Sequence, residues 1–155
     1  MLDQRAWTPP DWIVLPGGNL GNVSAFGKAL RELKQIGLTD RIPKLAVVQA
    51  EGSAPFYDLF QRSDRSQIHN VAKPETLATA IRIGAPVSWE KARFEVESSG
   101  GCVERVTEQE IADAKAIIGR CGIGCEPASA ASLAGIRKLT AANVIHHGDD
   151  VVAVL

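Results

Sequence analysis

The sequence predicts an α/β fold of three layers, a mostly parallel sheet flanked by helices. Three observations carry this. Leu45-Ala46-Val47-Val48 is near-continuously apolar, as in a strand buried on both faces of a parallel sheet. Asp11-Trp12-Ile13-Val14-Leu15 is another apolar, β-branched run, and a glycine-rich loop joins it to a segment of helical periodicity. Short apolar runs and helical patterns then alternate along the rest of the chain.

The elements follow in order. Residues 1–10 are polar, end in Pro9-Pro10, and read as a lead-in. The first strand spans roughly 11–15 and the first helix roughly 22–36. Val23, Phe26, Leu30 and Leu33 recur at steps of three and four residues, and Gly37 suits the C-terminal cap. The second strand is 45–48. Pro55 opens a short helix through Leu59, since proline is accommodated in a first helical turn. Residues 61–74 are polar and read as a loop. Glu75 to Ile83 is expected to be helical, stopped by Gly84 and Pro86. Ser88 is expected to cap a helix over 89–98 that ends at Gly100-Gly101, before a strand from Cys102 to Val106. Thr107 and Glu110 form a capping box, and Ile111, Ala114, Ile117 and Ile118 mark one side of the helix they open. Pro127 begins a helix through about Leu139, and Val151 to Leu155 is a final buried-type strand.

Between the first strand and helix lies Pro16-Gly17-Gly18-Asn19-Leu20-Gly21-Asn22. A Gly/Asn loop feeding a helix start gathers unpaired backbone N–H groups and the positive dipole end at one point, which suits a phosphate. Glycine permits positive φ and close approach of the backbone to an anion. The asparagines tolerate the left-handed region and add side-chain amides. The loop fits neither GxGxxG nor a P-loop, and the plain alternative is an ordinary strand-to-helix turn.

Composition narrows the function classes. With 155 residues the chain is long enough for one domain with a real core. A formal net charge of −1 gives no reason to expect nucleic acid or an anionic membrane as partner. No run is long enough to span a bilayer, and no signal peptide is expected. Three cysteines, an odd number, suit a reducing, cytoplasmic setting with free thiols better than a disulfide framework. Cys121 and Cys125 in CGIGC lack metal-ligand spacing, and His146-His147 is a lone pair, so no metal is expected. The chain stops at the carboxyl end of its last strand, where the ligand loops of α/β sheets begin. It is read as truncated there, with a natural edge strand as the alternative.

PGGNLGNVSAFGKAL, ETLATAIRIGAPVSW and EPASAASLAGI, in that order, resemble the later half of the threonine synthase family. These are pyridoxal-phosphate enzymes of fold type II, related to the tryptophan synthase β chain. The resemblance runs from about Asp11 to Leu155 and implies the C-terminal part of a catalytic domain, truncated at both ends. It implies that Gly18, Asn19, Leu20, Gly21 and Asn22 bind the phosphate of pyridoxal 5'-phosphate. It implies that the segment of Glu126, Pro127, Ala128, Ser129, Ala130, Ala131 and Ser132 borders the cofactor ring. Read from the residues alone, that segment is small side chains letting a helix pack closely on a sheet, with Glu126 suiting the helix dipole. Thr79 to Gly84 lies near the active site in the family. Arg82 is read first as a surface arginine in an ion pair, and second as a contact for an anionic substrate.

The resemblance further implies conversion of O-phospho-L-homoserine and water to L-threonine and phosphate. None of Lys28, Lys34, Lys44, Lys73, Lys91, Lys115 and Lys138 stands in the context of the family's Schiff-base lysine. No catalytic residue is therefore assigned, and the chain by itself is expected to be inactive. The N-terminal part of the same enzyme is the expected partner, together with a homo-oligomer. Two other readings stay open. One is a different fold-type II enzyme, of the threonine dehydratase or cysteine synthase kind. The other is a non-catalytic phosphate-binding module.

Overall fold

A computed structural model describes residues 1–155. Four strands, β1 (Trp12–Pro16), β2 (Lys44–Ala50), β3 (Cys102–Val106) and β4 (Val151–Ala153), form one sheet in the order β3-β2-β1-β4. All three pairings are parallel, with Ile13 beside Leu45, Val47 beside Val103, and Trp12 beside Val151. Five helices complete the fold: α1 (Gly21–Gln35), α2 (Pro55–Phe60), α3 (Trp89–Ser98), α4 (Glu108–Arg120) and α5 (Pro127–Ala141).

Strand side chains alternate between two cores. Ile13, Leu15, Leu45, Val47 and Val103 face one side and are buried with residues of α1, α2 and α3. Trp12, Val14, Ala46, Val48 and Val106 face the other and are buried with residues of α4 and α5. This is the expected three-layer arrangement, with a sheet parallel throughout. Leu2 is buried with Leu30, and Arg41 donates to the carbonyls of Pro9 and Pro10, so the first ten residues are held against the body.

Local signals explain most helix ends. Gly37 adopts φ +77°, and the N–H groups of Gly37 and Leu38 return to Lys34 and Leu33, closing α1. At α4 the capping box is complete: Glu110 N–H donates to Thr107 Oγ1 at 3.2 Å, and Thr107 N–H to Glu110 Oε2 at 2.7 Å. Ile111, Ala114 and Ile118 are buried on that helix, and Ile117 is half-buried. No helix is long and apolar enough to cross a membrane.

Three expectations are corrected. Residues 75–83 do not form a helix; only Thr79–Ile81 makes a short 3-10 turn. Their donors go to neighbours instead: Glu75 N–H to Gly52 O, Leu77 N–H to Glu108 Oε2, and Ala78 N–H to Thr76 Oγ1. Tertiary partners thus override the helical pattern. Ser88 precedes α3 as expected, but its side chain makes no capping bond. With φ −90° and ψ 16° its backbone is not extended, and its N–H is engaged with Asn19 O. The last strand ends at Ala153 and is half-buried, because it has a strand neighbour on one side only.

Candidate functional site

The chain leaves β1 toward β2 yet returns to the other side of β1 as β4, so the order of connections reverses at the carboxyl end of β1. In open parallel sheets that reversal opens a crevice, which is where ligands bind. The Gly/Asn loop occupies this position. Gly17 N–H donates to Val48 O at 2.7 Å as the last rung of the sheet, and the loop begins there.

From Gly18 to Val23, six successive backbone N–H groups find no acceptor within the chain. Three of them, on Gly21, Asn22 and Val23, are the unpaired donors of the first turn of α1. Leu20 at the N-cap supplies no side-chain oxygen. Its carbonyl instead accepts from Ser24 N–H and Ser24 Oγ, which fixes the first turn. Asn19 ties the loop to the segment before α3, accepting from Val87 N–H at 2.8 Å and from Ser88 N–H at 3.3 Å.

The residue in the left-handed region is Leu20, with φ 64°; neither asparagine nor any glycine of the loop has positive φ. This corrects the expected use of these residues. Leu20 tolerates the strain because its side chain is 2% exposed and anchored in the core with Val23. A left-handed residue followed by a right-handed one turns successive N–H groups toward a common point. The glycines serve close approach instead. A Cβ on Gly17 would lie 2.7 Å from Val47 Cγ1, and one on Gly18 would lie 2.8 Å from Ala80 O. A Cβ on Gly21 would meet nothing within 4 Å, so that position borders open space at the mouth of the helix.

That space is a cleft of about 380 Å³. Gly18 to Asn22 form one wall, Ala80, Ile81 and Ile83 another, and Glu126, Ala128 and Ser129 a third. The three stretches that the sequence singled out, 16–22, 75–84 and 126–132, therefore meet in one place. Of the third stretch only Glu126, Ala128 and Ser129 line the cleft; Pro127, Ala130, Ala131 and Ser132, which the resemblance also placed beside the ring, do not. Glu126 stands at the N-cap of α5 and Pro127 follows with no N–H to leave unpaired; the N–H groups of Ala128 and Ser129 have no acceptor in the chain. Two helix N-termini, those of α1 and α5, thus face the same cleft, and both favour negative charge.

No lysine or arginine lines the cleft. An anion there would be held by backbone donors and helix dipoles alone, with Glu126 the one ionisable side chain on its walls. Arg82 is exposed as expected, but it makes no ion pair and does not line the cleft. Lys28 pairs with Glu32 at 3.8 Å on the exposed face of α1, and Lys138 donates to Arg105 O at 2.7 Å away from the site. No group of three or more His, Cys, Asp or Glu side chains sits close enough to hold a metal ion. The three cysteines are unpaired, and burial followed by the charge of Glu104 pushes the Cys102 thiol up to about 11.

Sequence reading missed two residues at this site, Leu20 as the left-handed pivot and Gln49 beneath the loop. Gln49 carried a visible signal, a polar residue inside the apolar run that follows Lys44 in β2. It is completely buried, donates from Nε2 to Gly17 O at 3.0 Å, and accepts at Oε1 from Phe56 and Tyr57 N–H.

The profile of the pyridoxal-phosphate dependent enzyme family matches residues 1–155. Over 155 residues the chain is 48% identical to threonine synthase of Methanosarcina acetivorans, covering 99% of this chain and 38% of that protein. Chloroplastic threonine synthase 2 of Arabidopsis thaliana is 38% identical over 154 residues, covering 99% of this chain and 30% of its own length. The chain therefore spans well under half of these relatives. Among solved structures, a fungal L-serine ammonia-lyase from Rhizomucor miehei superposes with a TM-score of 0.77 at 21% identity, covering 99% of this chain and 47% of that one. Threonine synthase from Escherichia coli gives 0.64 at 17% identity, covering 94% and 33%. At such identities the structural likeness establishes the shared fold alone.

Proposed function

Because this chain belongs to the pyridoxal-phosphate dependent enzyme family, we propose that it is the part of a threonine synthase that anchors the cofactor by its phosphate. Family membership implies pyridoxal phosphate as the cofactor. The observation that carries the reading is the run of unpaired N–H groups from Gly18 to Val23 at the start of α1, opening onto the cleft. The fit is favourable on two counts. The donors are already oriented, and the open space at Gly21 leaves room for phosphate oxygens where a side chain would stand.

In this reading Gly18, Asn19, Leu20, Gly21 and Asn22 hold the phosphate, with Leu20 setting the direction of the donors. Glu126, Ala128 and Ser129 form the wall beside the ring, and the dipole of α5 adds positive potential to that side. Pyridoxal phosphate, when bound, supplies an electron sink for carbanions formed on an amino-acid substrate. The residues of this chain anchor and orient it. The lysine that carries the cofactor would come from the remainder of the enzyme, since none of the seven lysines here lines the cleft. We read residues 11–155 as the C-terminal part of the catalytic domain. The reaction proposed for the whole enzyme is conversion of O-phospho-L-homoserine and water to L-threonine and phosphate.

The matching relatives named above are threonine synthases, which supports this reaction over deamination. The test is turnover. The whole enzyme, given O-phospho-L-homoserine, should release phosphate and threonine in equal amounts, and residues 1–155 alone should release neither. Ammonia and a 2-oxo acid from threonine, with no reaction on the phosphorylated substrate, would assign the chain to a deaminating relative.

A further inference from the structure

We infer that Gln49 is a positioning residue for the phosphate loop, fixing the peptide plane from which the first anion-binding N–H projects. The inference rests on the reading of Gly18–Asn22 as the phosphate anchor. Its basis is the geometry below the loop, which neither the family match nor the relatives describe.

Gln49 lies near the end of β2, and its side chain has no exposed surface. A primary amide placed there is costly unless both its ends are bonded. An apolar residue would carry no such cost, so the three bonds it makes indicate what the amide does. Oε1 accepts from Phe56 N–H at 2.9 Å and Tyr57 N–H at 3.1 Å. These are donors in the first turn of α2, whose N-cap residue Ala54 has no side chain to satisfy them. With Oε1 committed, the amide cannot flip, and Nε2 is aimed at Gly17 O, 3.0 Å away.

Gly17 O belongs to the same planar peptide unit as Gly18 N–H, and in a trans peptide the two point in opposite directions. A bond that draws the carbonyl down toward β2 therefore turns the Gly18 N–H the other way. Gly17 is held a second time, by its own N–H on Val48 O. Gly17, the residue between the end of the sheet and the first free donor, is thus gripped through both of its peptide units. The absence of a side chain at Gly17 permits this, because a Cβ there would come within 3.0 Å of Gln49 Cγ. Glutamine suits the place: it has one acceptor end for two helix donors and one donor end for a carbonyl.

The experiment is an amide-resolved NMR titration of residues 1–155 with pyridoxal phosphate, with inorganic phosphate as a second probe. In the parent chain the amides of Gly18 to Val23 should shift on saturation, and the side-chain amide of Gln49 should shift along the same isotherm. Gln49→Met removes all three bonds at similar volume, and should weaken pyridoxal phosphate by about tenfold, given the usual cost of unpaired buried groups. Gln49→Glu adds a pH signature that general destabilisation lacks. Its protonated form has an O–H for Gly17 and a carbonyl for α2, whereas its ionised form accepts only and faces the Gly17 carbonyl. Affinity relative to the parent chain should therefore recover as pH falls from about 8 toward about 5. The inference is overturned if Gln49→Met folds and binds pyridoxal phosphate like the parent, or if the Gln49→Glu deficit is the same across that range. It is overturned independently of any variant if the loop amides shift in the parent chain and the Gln49 amide does not. If pyridoxal phosphate moves none of the amides from Gly18 to Val23 in the parent chain, the phosphate-anchor reading itself fails, and that outcome is separate from the others.

Discussion

Gly135 of α5 lies directly on Val48 of β2, so close that a Cβ on the glycine would overlap the valine side chain. The contact sits in the middle of the face where Ala128, Ala131 and Ala134 bring α5 down onto the sheet. It also sets the distance from that helix to the loop beyond β1, since the first turn of α5 is a wall of the cleft.

Gly135→Ala should therefore destabilise the chain, although alanine is the better helix former. Overpacking a well-filled core costs about 2 kcal/mol, more than the roughly 1 kcal/mol that alanine gains in helix propensity. Denaturant unfolding of the two proteins checks this. A variant as stable as the parent would mean that α5 can lift from β2 without cost.

Gly21→Asp tests the anchor from the outside of the loop. The position has no positive φ and its Cβ meets nothing, so the fold should tolerate the change. The new carboxylate would stand beside the bound phosphate, and at a few ångströms the repulsion is worth several kcal/mol in a partly solvated site. In the whole enzyme, retention of pyridoxal phosphate through dialysis should fall at least about tenfold, with the melting temperature little changed. Unchanged retention would place the phosphate elsewhere.

Thr107→Ala removes one half of the reciprocal cap at the start of α4 and leaves the Glu110 N–H without its acceptor. A loss of about 1 kcal/mol is expected, measured by reversible unfolding. Thr107→Ser should recover most of it, because serine keeps the hydroxyl that accepts the bond.

The thiols should separate by rate. Titration of denatured, unreduced protein should count Cys102, Cys121 and Cys125 as free. In the folded protein near neutral pH, exposed Cys121 should react with a disulfide reagent well before Cys102. The Cys102 thiol ionises only near about 11, so its reaction should accelerate as pH rises toward that value. A missing pair of thiols, or equal rates for the two residues, would contradict the structure.

Much of this molecule could be read from residue order. Periodicity placed α1 and α4, Pro127 marked the start of α5, and the Thr107–Glu110 spacing specified a cap that is present to the hydrogen bond. The meeting of residues 16–22 with 126–132 could be expected from family resemblance but not from spacing, because only the sheet order brings them together. Residues 75–83 failed as a helix because donors are taken by Gly52 and Glu108, distant partners that no local pattern announces, and by the nearby Thr76 hydroxyl. Leu20 was hidden for a related reason. Its left-handed backbone contradicts local preference and is maintained by burial of its side chain.

The place of β4 beside β1 has a kinetic meaning. Asp150 N–H reaches the carboxylate of Asp11 across 139 residues, and Trp12 pairs with Val151. During synthesis the second flank of β1 has to wait for the 139 residues that separate Asp11 from Asp150, so until then one side of the strand beneath the ligand loop lacks its ladder. High contact order of this kind slows folding and prolongs exposure of an apolar edge. The loop above β1 should therefore be among the last features to acquire its final shape, and late capture of β4 is a step at which a chaperone or a ligand would assist this protein.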